Sequence, residues 1–312
     1  MNLVVLSGSA NPALADSIAE KLGTRSAHRM IGRFPDTELH VEVQETVRGA
    51  DVYIVQPTGP QVDQNLMELL FLADACRRAG AGRLTAIVPY FGYARQDRRA
   101  VGREAVGARV AADLLSTAGF DRIVAVDLHT VSLEGFFASP LEHLSAVALL
   151  ANGVDTFVGR QGVIVSPDLG AAKLAERYAE LLRLPIAIVH KVRLSGEAVK
   201  VVDIVGDVRG RTPVIVDDMI STGATIEAAA KALLSAGCAA EITVVATHAL
   251  LVGPAIERLG ALNLKRLVVT DSLAQPAKIA LPMQVLSVAP MLADAASRLN
   301  VGESLSDIVS HR

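Results

Sequence analysis

Two adjacent acids, Asp217 and Asp218, end the apolar run Val214-Ile-Val216 and precede the turn Ser221-Thr-Gly-Ala-Thr225. A helix-forming run, Ile226-Glu-Ala-Ala-Ala-Lys-Ala-Leu-Leu234, follows directly. A strand, a loop and a helix start therefore fall in one short segment. Small residues at Gly223 and Ala224 let backbone N–H groups converge, and the Ser221, Thr222 and Thr225 hydroxyls add donors. The helix N-terminus supplies a field that favours an anion. Paired carboxylates beside such a cradle suit a sugar phosphate, with the phosphate on the N–H groups and the ring hydroxyls donating to the acids. Helix capping alone accounts for one Ser or Thr. It leaves unexplained two acids at a strand's carboxyl end, the usual ligand position in open α/β sheets.

Five further constellations carry chemistry. Pro89-Tyr-Phe-Gly-Tyr-Ala-Arg-Gln-Asp-Arg-Arg99, extended by Arg103 and Arg109, follows a strand pattern and so starts at a ligand-facing strand end. Its aromatics offer a purine a stacking surface. Arg95, Gln96 and the neighbouring arginines offer donors to a polyphosphate and a base, whereas Arg98 or Arg109 alone would be an ordinary solvated cation. In Arg33-Phe-Pro-Asp-Thr-Glu38, Phe34 can stack, and Asp36 and Glu38 can accept from an adenine amino group or a ribose. Pro-Asp before a polar residue is also a plain turn signature. Val126-Asp-Leu-His129 ends another strand, and His129 suits a metal, a phosphate oxygen or a structural hydrogen bond. Ser166-Pro-Asp168 precedes a helix, so Asp168 is either an N-cap or, beside His129, an oxygen donor to magnesium, which takes few protein ligands plus phosphates. His190-Lys-Val-Arg193 puts Lys191 and Arg193 on one face by strand alternation. Two cations aimed together call for acids or phosphates, or else guard an edge strand against aggregation. His28, His40, His143, His248 and His311 show no metal spacing.

These residues need a scaffold, and the chain contains a doubled one. Leu14-Ala-Asp-Ser-Ile-Ala-Glu-Lys-Leu22 resembles Leu174-Ala-Glu-Arg-Tyr-Ala-Glu-Leu-Leu182, an offset of about 160 residues. Val47-Arg-Gly49 recurs as Val208-Arg-Gly210, each shortly before a strand, Val52–Val55 or Val214–Val216. A helix follows each, Asn65–Arg78 and Ala224–Ser235, stopped by Ala79-Gly80 and Ala236-Gly237. Strands Leu84–Val88 and Ile242–Val245 come next. This alternation predicts an α/β fold of two similar domains, each a mainly parallel sheet flanked by helices. The expected boundaries are residues 1–145 and 146–288, with a tail, residues 289–312, packing back on the first domain. The halves differ in chemistry, because Gln56-Pro57 stands where the second half has Asp217-Asp218. The sugar-phosphate site therefore belongs to the second half alone.

Composition narrows the partners. The 312 residues are 51% hydrophobic, ample for two cores, and the net charge of −3 carries no general signal for nucleic acid or a membrane surface. Cys76 and Cys238 lack metal or redox spacing and read as small buried hydrophobes in a reducing compartment. Met1-Asn-Leu-Val-Val-Leu-Ser-Gly8 reads as a strand without a basic leader, and no apolar run approaches the ~18 residues of a membrane span. A cytoplasmic enzyme is the expectation.

Taken in order, these segments resemble the ribose-phosphate pyrophosphokinase family, also called phosphoribosyl pyrophosphate synthetases, nearly end to end. The motifs include Arg33–Glu38, Asn65–Leu70, Pro89–Asp97, Val126–His129, Gly135-Phe-Phe137 and Ser166–Asp168, then Asp217–Thr225, Ala246-Thr-His248 and Gly253–Arg258. The resemblance implies tandem phosphoribosyltransferase-like domains. It also implies transfer of the pyrophosphoryl group of MgATP to the 1-hydroxyl of ribose 5-phosphate, giving phosphoribosyl pyrophosphate and AMP. By position it assigns ribose 5-phosphate to Asp217, Asp218, Ser221, Thr222, Gly223, Ala224 and Thr225. ATP falls to Phe34, Asp36, Thr37, Glu38, Arg95, Gln96 and Asp97, with the adenine contacts commonly supplied by a neighbouring subunit. His129 and Asp168 match magnesium-linked positions, and Lys191 and Arg193 match the pair that stabilises the transferred group. A homo-oligomer, a hexamer built from dimers, is implied as well. Ser221 replaces a family carboxylate, and Thr37 stands where Gly is usual. The cradle would equally serve a phosphoribosyltransferase that consumes phosphoribosyl pyrophosphate, which has no need of the two nucleotide sets. A non-catalytic regulatory member has no need to keep Lys191, Arg193, His129 and Asp168.

Overall fold

The structure, a computed structural model, describes residues 1–195 and 198–309, and for residues 191–195 and 198–202 the backbone alone. The chain divides into two compact units, Met1–Ser145 with Ser272–Ala274 and Ser287–Arg312, and Ala146–Asp271 with Gln275–Leu286.

The first unit opens with β1 (Leu3–Ser7) and α1 (Pro12–Lys21). Asn11 caps α1 by accepting from the Leu14 N–H at 3.3 Å, and Pro12 fits the first turn, where no N–H is needed. Next come β2 (Arg29–Arg33), β3 (Leu39–Val43), β4 (Asp51–Val55) and α2 (Val62–Arg78). Helix α2 starts earlier than the expected Asn65, because Gln61 takes a left-handed conformation, φ 69°, that turns the chain into the helix. Then follow β5 (Arg83–Val88), α3 (Gly107–Thr117), β6 (Arg122–Val126), a 3-10 turn over Val131–Phe136 and β7 (Leu141–Leu144). The sheet is parallel, in the order β1-β4-β5-β6-β7. The hairpin β2–β3 stands apart as its own two-stranded ribbon.

The second unit contains α4 (Val147–Val158), β8 (Gly162–Ser166), α5 (Ala172–Leu182), β9 (Ile186–Ser195) and β10 (Ala198–Val205). It continues with β11 (Thr212–Ile220), α6 (Ala224–Ser235), β12 (Thr243–Ala249), α7 (Ala255–Gly260), β13 (Arg266–Thr270) and β14 (Met283–Leu286). Its sheet runs β10-β9-β8-β11-β12-β13-β14, parallel except for the β9–β10 hairpin. All five residues of β8 and all seven of β12 are buried, as expected of strands covered on both faces. From β8 the chain moves one way to β9 and then returns to the other side as β11. The order therefore reverses between β8 and β11, the switch point at which open α/β sheets form a ligand crevice.

Helix α8 (Ala289–Val301) returns to the first unit and packs on α1. A buried polar network holds it. Asp51, fully buried, accepts from Arg83 Nε at 2.8 Å, Tyr53 Oη at 2.9 Å and Asn300 Nδ2 at 2.8 Å, while Arg83 also donates to the Leu299 carbonyl at 2.9 Å. Burial works to raise the Asp51 carboxyl, but the hydrogen bonds from Arg83, Asn300 and Tyr53 win and hold it below the usual aspartate value.

Candidate active site

The second unit's site begins where β11 turns into α6. Contrary to the sequence expectation, the strand does not stop at Val216. It runs through both acids to Ile220, because β12 keeps pairing with it at Asp217↔Ala246, Met219↔His248 and Ile220↔Ala249. Ser221–Gly223 then turn the chain, with Gly223 at φ +74°, a conformation that favours glycine. The N-cap of α6 is Gly223, which has no side chain, so the helix N-terminus presents the partial positive charge that favours an anion. The segment after β12 braces the turn from behind. Leu250 and Leu251 N–H donate to the Ile220 carbonyl at 3.0 and 3.1 Å, and Val252 N–H to the Ser221 carbonyl at 3.0 Å. Arg258 Nη1 donates to the Thr222 carbonyl at 3.2 Å, and its Nε lies 3.5 Å from Glu227.

Asp217 accepts from the Asp218 N–H at 3.0 Å, and Asp218 from the Met219 N–H at 2.8 Å. Burial pushes the Asp217 carboxyl well above the aspartate range, and the neighbouring Asp218 and Asp168 push it further. Asp168 follows β8 across the switch point, so it joins the acid pair of β11 within the same unit, a grouping that sequence spacing did not reveal. Its Oδ1 also accepts from Gly170 N–H at 2.9 Å and Ala171 N–H at 3.3 Å, closing a turn before α5, whose N-cap is Ala171 and not Asp168. Among the described residues, no group of three or more His, Cys, Asp or Glu side chains is arranged to hold a metal ion. Lys191 and Arg193 lie in β9, with backbones paired to Val201 and Val199, and their side chains are outside the described residues.

The corresponding place in the first unit is filled by the protein itself. Gln56, fully buried, accepts from Ala10 N–H at 3.0 Å and donates to Glu68 at 2.9 Å. Glu68 in turn accepts from Ser9 N–H at 2.5 Å and from Ser9 Oγ at 2.6 Å. A Cβ at Gly8 would come within 2.1 Å of Gln56 Oε1. The donors of the β1–α1 loop are therefore spent on a carboxylate and an amide of the same chain.

The loop after β5 corrects one expectation. Tyr90 and Phe91 are 5% and 3% exposed, and Phe91 packs on Phe137 with ring centroids 5.2 Å apart, so neither ring offers a stacking surface. They are core residues, because the chain stays pressed against the sheet beyond Val88. Gly92 shows how closely: its N–H donates to Thr58 Oγ1 at 2.7 Å, and a Cβ there would lie 2.4 Å from the Thr58 carbonyl. Tyr93, at φ +64°, donates its hydroxyl to Asp63. Arg95, Gln96, Arg98, Arg99 and Arg103 are exposed. Those four arginines form no ion pair among the described residues, whereas Arg109 is paired with Asp113 at 2.9 Å. Asp97 accepts from Thr130 Oγ1 at 3.2 Å.

The tip of the β2–β3 hairpin carries Phe34, Asp36, Thr37 and Glu38. Phe34 N–H donates to the Glu38 carbonyl at 2.9 Å, Arg33 Nη1 to the Thr37 carbonyl at 2.7 Å, and Glu38 N–H to Asp36 Oδ1 at 3.1 Å. Thr37 sits at φ +76°, the left-handed region in which a glycine would be unstrained. Phe34, 49% exposed, stacks on His40 at 4.8 Å and 20° between planes. This two-ring shelf escaped the sequence reading. Its signal is the hairpin register, which sets Gly32 opposite His40. His129 is exposed, in the loop between β6 and the 3-10 turn. It belongs to the first unit and Asp168 to the second.

A mainly parallel α/β scaffold carried twice, with a glycine-turned helix start and an acid group at the switch point of one unit only, defines a phosphoribosyl-handling transferase. Two family descriptions match: the N-terminal domain of ribose phosphate pyrophosphokinase over residues 3–119, and the phosphoribosyl synthetase-associated domain over residues 194–310. A ribose-phosphate pyrophosphokinase of Caldanaerobacter subterraneus is 43% identical, covering 98% of each chain. One from Bacillus subtilis is 40% identical over 99% of this chain and 98% of its own. The crystal structure of a phosphoribosylpyrophosphate synthetase from Mycobacterium smegmatis superposes with a TM-score of 0.90 at 38% identity, covering 97% of this chain and 100% of the other. The chain belongs to the ribose-phosphate pyrophosphokinase family.

Proposed function

We propose that the chain transfers the pyrophosphoryl group of ATP to ribose 5-phosphate. The ribose 1-hydroxyl oxygen attacks the β-phosphorus and gives up its proton. The bond from that phosphorus to the bridging oxygen breaks, and AMP leaves with the electron pair. The observation that carries this reading is the Gly223 turn that starts α6 directly after Asp217 and Asp218.

In this reading the α6 N–H groups and the Ser221, Thr222 and Thr225 hydroxyls take the 5-phosphate, Ala224 leaves the first turn open, and Asp217 and Asp218 accept from the ribose hydroxyls. Arg95, Arg98, Arg99 and Arg103 supply cations to the triphosphate, and Gln96 and Asp97 shape the same loop. The Phe34–His40 shelf stacks adenine, with Asp36, Thr37 and Glu38 at its rim. Lys191 and Arg193 stabilise the charge on the transferred group, because such transfers are governed by positioning and electrostatics.

The donor chemistry fits magnesium, a hard cation that takes oxygen ligands and few protein groups beside nucleotide phosphates. His129 and Asp168 are the residues that would hold it or its waters, and when bound it neutralises charge on the phosphates. Met67 and Phe71 on α2 and Val110 and Leu114 on α3 expose an apolar stripe, with a groove of about 310 Å³ lined by Phe71 and Leu114. That stripe suits a subunit contact in a homo-oligomer, a hexamer built from dimers. The unpaired Cys76 and Cys238 suit the cytoplasm, and among the described residues no helix is long and apolar enough to cross a membrane.

The test is formation of AMP and phosphoribosyl pyrophosphate in equal amounts from MgATP and ribose 5-phosphate. No AMP, with and without added inorganic phosphate, would refute the reading. Lys191→Ala should lower chiefly kcat; a loss confined to KM would place Lys191 in ground-state binding instead.

A further inference from the structure

His143 has no role in the reading above, yet it is 3% exposed and both its ring nitrogens are engaged. The Leu128 N–H donates to Nε2 at 2.8 Å, so that nitrogen presents a lone pair. The ring proton therefore sits on Nδ1, which lies 2.8 Å from Glu134 Oε1. A carboxylate on one side thus fixes the tautomer that the backbone donor needs on the other.

Chain order turns this pair into a clamp. Leu128 and Glu134 flank His129, one before it and one in the 3-10 turn after it, and His143 reaches both from β7. Two further bonds hold the same loop, Ser145 Oγ to Asp127 Oδ1 at 2.8 Å and Thr130 Oγ1 to Asp97 Oδ2 at 3.2 Å. Asp127 stands at φ +38°, a backbone conformation that persists only where surrounding bonds impose it. Through Thr130 the loop is also tied to the arginine-bearing segment after β5.

We propose that Glu134 and His143 are positioning residues. With its proton held on Nδ1, His143 grips the Leu128 amide and so sets how the adjacent His129 is presented to the magnesium nucleotide. This rests on the assignment of His129 to the magnesium nucleotide, and neither Glu134 nor His143 touches the reacting atoms.

The experiment uses the full chain labelled with ¹⁵N-histidine, together with amide hydrogen exchange. In the wild type, His143 should be the Nδ1–H tautomer and the Leu128 amide should be protected. Glu134→Leu removes the acceptor, so His143 should shift toward the Nε2–H form, and Leu128 should exchange about tenfold faster, the worth of one hydrogen bond. The Mg²⁺ concentration for half-maximal activity should rise by a similar factor, with the KM for ribose 5-phosphate unchanged. His143→Leu should behave alike, and His143→Gln, whose amide oxygen accepts from Leu128, should restore exchange and Mg²⁺ response. An Nε2–H wild type, unchanged Leu128 exchange, a Gln variant no better than Leu, or equal losses toward both substrates would each overturn the proposal. A wild type that forms no AMP would instead overturn the assigned reaction, while the tautomer and exchange results would still decide whether the clamp exists.

Discussion

Asp217→Asn should make the substrate-free, metal-free protein more stable and a worse enzyme. Asp217 is half-buried beside Asp218 and Asp168, and desolvation together with both acids outweighs the Asp218 N–H bond and pushes its carboxyl upward. The amide oxygen of Asn keeps the 3.0 Å bond from the Asp218 N–H while removing the charge. Relief of one such frustrated charge is worth about 1 kcal/mol, or a rise of about 2–4 °C in Tm for a domain of 150–250 residues. The pH dependence has a definite sign. The folded-state value lies above the ordinary 3.8, so as pH rises the unfolded chain loses this proton first, and wild-type stability falls until the folded carboxyl also ionises. The advantage of Asn should therefore be absent below the ordinary value and grow with pH until the folded carboxyl ionises. For ribose 5-phosphate, replacing the carboxyl acceptor by an amide should cost about 2 kcal/mol, roughly 30-fold in KM, with the KM for ATP little changed. Calorimetric scans in EDTA across the acid range, paired with initial rates, make the assay. A lower Tm at neutral pH, or an advantage that grows on acidification, would refute the electrostatic reasoning. Equal weakening of both substrates would refute the assigned side.

Other outcomes follow from the same geometry. Asp51→Asn should destabilise the first unit by about 1–3 kcal/mol, because the partly exposed Arg83 loses the charged acceptor of its two hydrogen bonds inside a buried network. The stability that Asp51 contributes is present above the ordinary aspartate value of 3.8 and lost as pH falls through its lowered folded value, which acid titration of wild type and variant would compare. Phe34→Ala should raise the KM for MgATP about tenfold by removing a stacking face, with ribose 5-phosphate unaffected; an equal rise for both would place Phe34 outside the nucleotide site. Gly92→Ala should cost about 1–3 kcal/mol through overpacking against the Thr58 carbonyl, read as a fall in Tm, and an unchanged Tm would show that the loop yields freely. Phe71→Glu should shift the sedimentation coefficient toward smaller species if the α2–α3 stripe joins subunits.

Much of the fold was legible because its signals are local. Apolar strands, Ala-rich helices and Gly stops at Gly80 and Gly237 recur at matching places in both halves, so the doubling could be read without coordinates. The cradle was legible for the same reason, as strand, turn and helix start are contiguous. Aromatic type misled at Tyr90 and Phe91, where burial depends on how closely the chain follows β5 and on the approach of Thr58 and Phe137. Spacing gave no sign that Asp168 meets Asp217, because strand order decides that meeting. His40 and His143 carried no spacing signal, since a hairpin register and a β7 position decide what they meet.

The sequence by itself determined which groups exist and where the local turns fall: the acid pair, the Gly223 turn, the exposed arginines and the loss of acids at Gln56. Residue type and short-range backbone preference are sufficient for that. Only the tertiary structure decided that β8 and β11 lie side by side where strand order reverses, the place at which open α/β sheets bind ligands. It also decided that Glu68 and Gln56 fill the matching place in the first. Both outcomes depend on pairings between residues far apart in the chain, and no local propensity encodes which distant donor meets which carboxylate.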